Sequence, residues 1–144
     1  MRKILLAGAG AIVAAAIATA PALAEEFKAT LAGSGSGAAM FDVQGDSVHF
    51  KLDTQGVNNV TMAHIHMGKE GENGPPFVWL LRSMDSPKSM NGTIAEGSFK
   101  ASDLVGPMQG KSIADVVAMI KSGGAYVNVH TAEMQAGAVR GQVQ

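Results

Sequence analysis

Ala39-Met40-Phe41-Asp42-Val43-Gln44-Gly45-Asp46-Ser47-Val48-His49-Phe50-Lys51-Leu52-Asp53 is the stretch that decides the fold class. The segments on either side of the Gln44-Gly45-Asp46 turn read as two strands of a hairpin. In the second arm Val48, Phe50 and Leu52 face one way and Ser47, His49, Lys51 and Asp53 the other, the period of two of a half-buried strand. Outward from this hairpin the same grammar repeats. Phe27–Leu31 alternates as a first strand, and Gly33–Gly37 reads as a flexible turn. Gly56-Val57-Asn58-Asn59 turns the chain into a strand over Val60–Met67, followed by a Gly/Pro-rich loop at Gly68–Pro76. Phe77–Arg82 is a buried-type strand, Ser83–Asn91 a polar loop and Gly92–Phe99 a further strand. Ser112–Lys121 is the single helix expected, with apolar residues at 113, 116, 117 and 120 and Gly123-Gly124 to stop it. Ala125–Thr131 and Ala138–Val143 are the last strands. Many short strands and one helix predict an all-β, antiparallel, Greek-key-like sandwich or barrel.

The N-terminus has a different character. Met1-Arg2-Lys3 is a short basic head, Ile4–Ala20 is almost wholly Ala, Val, Leu, Ile and Gly, and Pro21-Ala22-Leu23-Ala24 ends in an Ala-x-Ala pattern. That is the layout of a cleaved secretory signal over residues 1–24, and the run is weakly hydrophobic for a spanning helix. The mature chain, 25–144, is then expected to be a single domain, periplasmic or secreted, with no membrane span after cleavage. Losing Arg2 and Lys3 takes the basic count from 11 to 9 against 12 acidic residues, a formal net charge of −3. Nucleic acid is therefore not an expected partner, because its binding rests on clustered Lys and Arg. There is no cysteine, so disulfides, thiolate metal sites and cysteine nucleophiles are excluded. Methionine is abundant, nine in all, and its soft thioether suits either core gaps or Cu(I).

The chemistry-bearing residues come in strands. In Ala63-His64-Ile65-His66 the two imidazoles stand two apart and so project side by side, while Ala63, Ile65 and Met67 face the other way. Two neutral imidazoles so held form a chelate for copper or zinc; the competing reading is an exposed pair on a polar sheet face. In Tyr126-Val127-Asn128-Val129-His130-Thr131 the valines make the core face, which groups Tyr126, Asn128 and His130 on the other. His130 would be a third imidazole from a second strand, and three histidines with an open position make a catalytic rather than a closed arrangement. Arg140 alternates opposite Val139 and Val143; on the face of His130 it would be a fixed cation that steers a small anion. His49, on the polar side of its strand, is kept as a reserve fourth ligand.

Four stretches together resemble the CHRD domain, the module first described in chordin. They are Ala63–Gly68 with Gly71–Pro75, Ala101–Pro107, Gly124–Thr131, and Gly137–Gln142. Their order is the family's, and the likeness extends over essentially all of 27–144. Two departures fall in loops: Gly33–Gly37 is shorter than the family's usual segment, and Glu133–Gly137 replaces a common Asn-Pro-Gly-Gly. His-x-His on one strand, a later Val-x-Val-His-type strand (Val127–His130) and a terminal strand carrying Arg140-Gly141 are also similar in order to the copper sites of Cu,Zn superoxide dismutases. That second resemblance implies copper ligands at His64, His66 and His130, superoxide as a small-anion substrate and Arg140 as its guide. It also implies a copper-only site, since no zinc ligands flank a bridging histidine. Copper is the ion expected, ahead of zinc or iron. The alternatives carried forward are a copper-binding or storage protein without turnover, in which Met67 or Met134 adds a soft ligand, and a metal-free envelope adhesion or scaffold domain. Oligomeric state is left open.

Overall fold

The computed structural model describes residues 10–17, 24–82 and 88–144. The expected signal segment falls mainly on 1–9 and 18–23, outside the described residues, and 10–17 is exposed without regular structure. Among the described residues seven strands follow: β1 (Ala24–Gly33), β2 (Gly35–Gln44), β3 (Ser47–Met67), β4 (Pro76–Leu81), β5 (Lys88–Lys100), β6 (Ala125–Thr131) and β7 (Val139–Gln142), with two short 3-10 turns (Ala101–Asp103 and Gly106–Met108) and one α-helix, α1 (Ile113–Lys121), between β5 and β6.

The hairpin of β2 and β3 is antiparallel, with Phe41 opposite Phe50 and Asp42 opposite His49. β1 pairs the other edge of β2, and β7 joins β1 to β6, which returns to β3. The ring β1–β2–β3–β6–β7 therefore closes into a five-stranded antiparallel barrel, with β4 and β5 added along β3. Between β1 and β7 the ladder is short, and reciprocal backbone hydrogen bonds between Lys28 and Gln144 extend the seam. Closure removes free edges inside the ring.

β3 makes the closure work. The segment Gly56–Asn59, expected as a turn between two strands, is instead a bend inside one 21-residue strand. Gly56 (φ 68°) and Asn59 (φ 55°) take left-handed backbone, and the pairing with β5 shifts register on both sides of Val57. Val60 pairs with Lys88 of β5 on one edge and Thr131 of β6 on the other, so β2 and β6 follow one another along the same edge of β3. The chain does not leave the sheet here because Val57 and Val60 are buried in the core. Two other boundaries also move. Gly33–Gly37 is ladder rather than loop, since Gly33 faces Gly35 across Ser34 alone, and glycine offers no side chain from which alternation could be read. Of the expected polar loop Ser83–Asn91, residues 88–91 belong to β5, and 83–87 lie outside the described residues.

The barrel interior takes Phe27, Leu31, Phe41, Val43, Phe50, Leu52, Ile65, Val127 and Val129. α1 begins one residue inside the expected span because Ser112 is its N-cap, accepting from the Asp115 N–H while Asp115 accepts from the Ser112 N–H. Its buried face is Ile113, Val116, Val117 and Ile120, the four positions whose spacing marked it as a helix. Among the described residues no helix is long and apolar enough to cross a membrane.

Candidate metal centre

β3 and β6 run antiparallel with Met62 opposite His130, His64 opposite Asn128 and His66 opposite Tyr126. Directly opposed residues share a face. Ala63, Ile65, Val127 and Val129 are wholly buried on the core side, so the three histidines emerge together on the other. That second face is not a polar surface: His64, His66, Asn128 and His130 are 4, 8, 4 and 7 % exposed. Trp79 of β4, the 68–75 loop and the 132–137 loop close around it, with the Trp79 ring edge-on to His64 at 4.2 Å.

One ring nitrogen from each of His64, His66 and His130 lies within 4.8 Å of the other two. Backbone carbonyls fix two of the tautomers. Nδ1–H of His66 donates to Gly74 O at 2.8 Å, and Nδ1–H of His130 donates to Gln135 O at 2.8 Å. A carbonyl can only accept, so the proton sits on Nδ1 in both rings and Nε2 carries a lone pair. His64 Nδ1 is 3.1 Å from His130 Nε2. Two nitrogens that far apart, each about 2.0–2.1 Å from one ion, subtend about 100° at it, an ordinary ligand–metal–ligand angle. Nε2 of His66, the nitrogen its tautomer leaves to ligate, is buried with no hydrogen-bond partner among the described residues. His64 Nε2 is unpartnered too, but one ion cannot take both nitrogens of a ring whose Nδ1 faces His130. Such orphans cost stability unless something else meets them. The donor set thus fits an imidazole-loving transition ion such as copper or zinc.

Electrostatics agree with the geometry. Burial, followed by the neighbouring His130 and His66, lowers the His64 pKa to about 4. The His66 pKa is lowered chiefly by burial, with His130 and Arg140 adding to it against the opposing Gly74 hydrogen bond. Both imidazoles are neutral near pH 7, the state that ligates.

The remaining expected residues separate. Arg140 is opposite Asn128 on β7, but its guanidinium is committed: Cζ lies 3.6 Å from the Tyr126 ring centroid, and the nitrogens donate to Asn73 Oδ1 at 3.0 Å and Glu72 O at 2.6 Å. Tyr126 in turn stacks on His66, centroids 5.0 Å apart and 17° between planes. Arg140 is thus tied to His66 through the phenol ring and to the 68–75 loop. His49 is exposed in the half of β3 that pairs with β2 and β5. It lines a groove of about 420 Å³ with Met40, Asp42 and Lys51 and does not join the three histidines. Met67 leaves β3 on the face opposite His64 and His66 and packs against the core.

Several contributors carry no signal in the sequence alone. The Gly74 and Gln135 carbonyls orient two ligands, yet any residue has a carbonyl. Gly74 itself is legible only in hindsight: a Cβ there would fall 1.6 Å from Met67 O, so the loop can approach β3 and His66 only with glycine. Trp79 reaches the histidine face through register, which only the sheet reveals, whereas Met62, two residues before His64 on the same strand, shares that face by alternation alone.

The pattern of the CHRD domain matches residues 18–143. The chain belongs to the CHRD domain family. No curated protein and no solved structure matches it. In this CHRD domain the two stretches Ala63–Gly68 and Gly124–Thr131 are the paired strand segments that carry the histidines, and Gly137–Gln142 brings Arg140 against them.

Proposed function

We propose that this CHRD domain is an exported mononuclear copper protein with superoxide dismutase-like activity, holding its ion at His64, His66 and His130. The observation that carries the reading is three buried histidines from two strands with converging nitrogens, neutral His64 and His66 among them. Copper held by His64, His66 and His130 would supply the one-electron chemistry needed to disproportionate two superoxide ions and two protons to oxygen and hydrogen peroxide. The protein's part is to hold the imidazoles in fixed tautomers, exclude bulk water with Trp79 and the two loops, and fix the Arg140 cation on Tyr126, against the 68–75 loop that covers the site. A fixed positive charge raises the encounter rate of a small anion toward the ~10⁸–10⁹ M⁻¹s⁻¹ ceiling. Export through a cleaved signal at 1–24 would place that activity in the periplasm or outside the cell.

The test is copper-loaded protein in a superoxide disproportionation assay against the His64→Ala/His66→Ala double variant. Turnover above that of copper trapped by a chelator, lost in the double variant, supports the reading. Stoichiometric copper with nitrogen hyperfine in the EPR spectrum but no turnover would reduce the protein to a copper carrier. Unchanged metal content in the double variant would remove the site altogether.

A further inference from the structure

The ligand His130 is oriented by a loop, and that loop is fastened by a residue the proposed copper reading does not use. Gln135 O, which receives the His130 Nδ1–H, lies in the short connection between β6 and β7. The next carbonyl, Ala136 O, accepts from Asn128 Nδ2 at 3.0 Å. Asn128 sits on the histidine face of β6, directly opposite His64, and is 4 % exposed. Its amide packs against Gly137 so closely that a Cβ there would fall 2.0 Å from Asn128 Oδ1 and 2.6 Å from Nδ2. Gly137 also has φ +125°, backbone that L side chains rarely adopt. Oδ1 has no hydrogen-bond partner among the described residues, so the donor half of the amide makes its one directional contact, with the loop. The same loop is tied to the end of β6 by Met134 N–H to Thr131 Oγ1 and by Thr131 N–H to Met134 O.

We infer that Asn128 and Gly137 form a latch that sets the His130 imidazole for metal binding. Gly137 leaves room for the Asn128 amide; Asn128 pins Ala136; the pinned loop presents Gln135 O to His130 Nδ1–H; and His130 Nε2 is thereby left as the acceptor nitrogen, facing His64 Nδ1 at 3.1 Å. Without the latch the ring can rotate or shift its proton to Nε2, and the third ligand is lost to that tautomer. Asn128 and Gly137 are positioning residues rather than ligands. The role as a metal-site device rests on the copper reading above, whereas the control of the His130 ring does not.

Two measurements on Asn128→Ala, Asn128→Ser, Gly137→Ala and the Asn128→Ala/Gly137→Ala double variant test this. Copper(II) affinity by competition with a calibrated chelator is expected to fall 10–100-fold in each single variant, the range for residues that support a ligand. The double variant is expected to lose no more than the worse single one, because both changes release the same loop. In metal-free protein, ¹⁵N NMR of the His130 ring is expected to show a single Nδ1–H tautomer in the parent and a mixture in the variants. Folded variants with parental copper affinity and an unmixed His130 tautomer overturn the latch, as does strict additivity in the double variant. If the parent binds no copper at the histidines, the copper reading falls, and the tautomer spectra still decide the latch. Should Asn128→Ala fail to fold, Asn128→Ser, which removes the amide but keeps a small polar side chain, carries the same comparison.

Discussion

Acidifying the metal-free protein should cost it a defined amount of stability through His64. Its folded-state pKa is about 4 because the ring is buried beside two other imidazoles, whereas the unfolded chain titrates near 6.5. Between these values the unfolded state binds more protons than the folded state, so stability rises with pH across that window. It is complete above pH 6.5 and lost as the pH falls toward 4. The full span of about 2.5 units corresponds to about 3 kcal/mol at 1.36 kcal/mol per unit. At pH 5 the loss is about 2 kcal/mol from this one residue. His66, also lowered by burial, adds to it in the same direction. The assay is urea unfolding of chelator-treated protein at pH 7.5, 6 and 5, with His64→Gln as the control that cannot titrate. The parent should lose about 2 kcal/mol more than His64→Gln between pH 7.5 and pH 5. Parallel losses in the two proteins would refute the argument that burial holds His64 neutral.

Other perturbations separate the fold from the site. Arg140→Ala removes the cation stacked on Tyr126 and two donors to the 68–75 loop. It should lower any superoxide rate most at low ionic strength, a dependence that stopped-flow assays across a salt series would show. Ile65→Ala, between the two ligand histidines but facing the core at 1 % exposure, should cost about 2–5 kcal/mol by chemical denaturation. Ser112→Ala removes the N-cap of α1 and should cost about 1 kcal/mol in the same experiment while leaving copper affinity unchanged.

Strand identity was readable wherever side chains alternate. Val48, Phe50 and Leu52 point to the core as their period requires, and Ile113, Val116, Val117 and Ile120 mark the helix for the corresponding reason at a different period. The failures came where the alternation signal is missing or overridden. Gly33–Gly37 has almost no side chains to alternate, so a ladder looked like a loop. Gly56 and Asn59 look like turn residues because they do adopt left-handed backbone, but buried Val57 and Val60 keep that backbone within the sheet.

The site divides along the same line. His64 and His66 had to share a face once their segment was a strand, and Tyr126, Asn128 and His130 likewise; local geometry alone fixes both groupings. The sequence also supplied the absence of cysteine and the family motifs that carry these strands. Which strands pair, and in what register, depends on long-range closure of the barrel, and that closure placed β6 beside the second half of β3. It brought His130 Nε2 to 3.1 Å from His64 Nδ1 and left His49, on the first half of the same strand, in a separate groove. Burial of the histidine face, and with it the neutrality of His64 and His66, arises from Trp79 and two loops folding over the sheet. No local pattern encodes that, because a residue's solvation is set by what the rest of the chain packs against it.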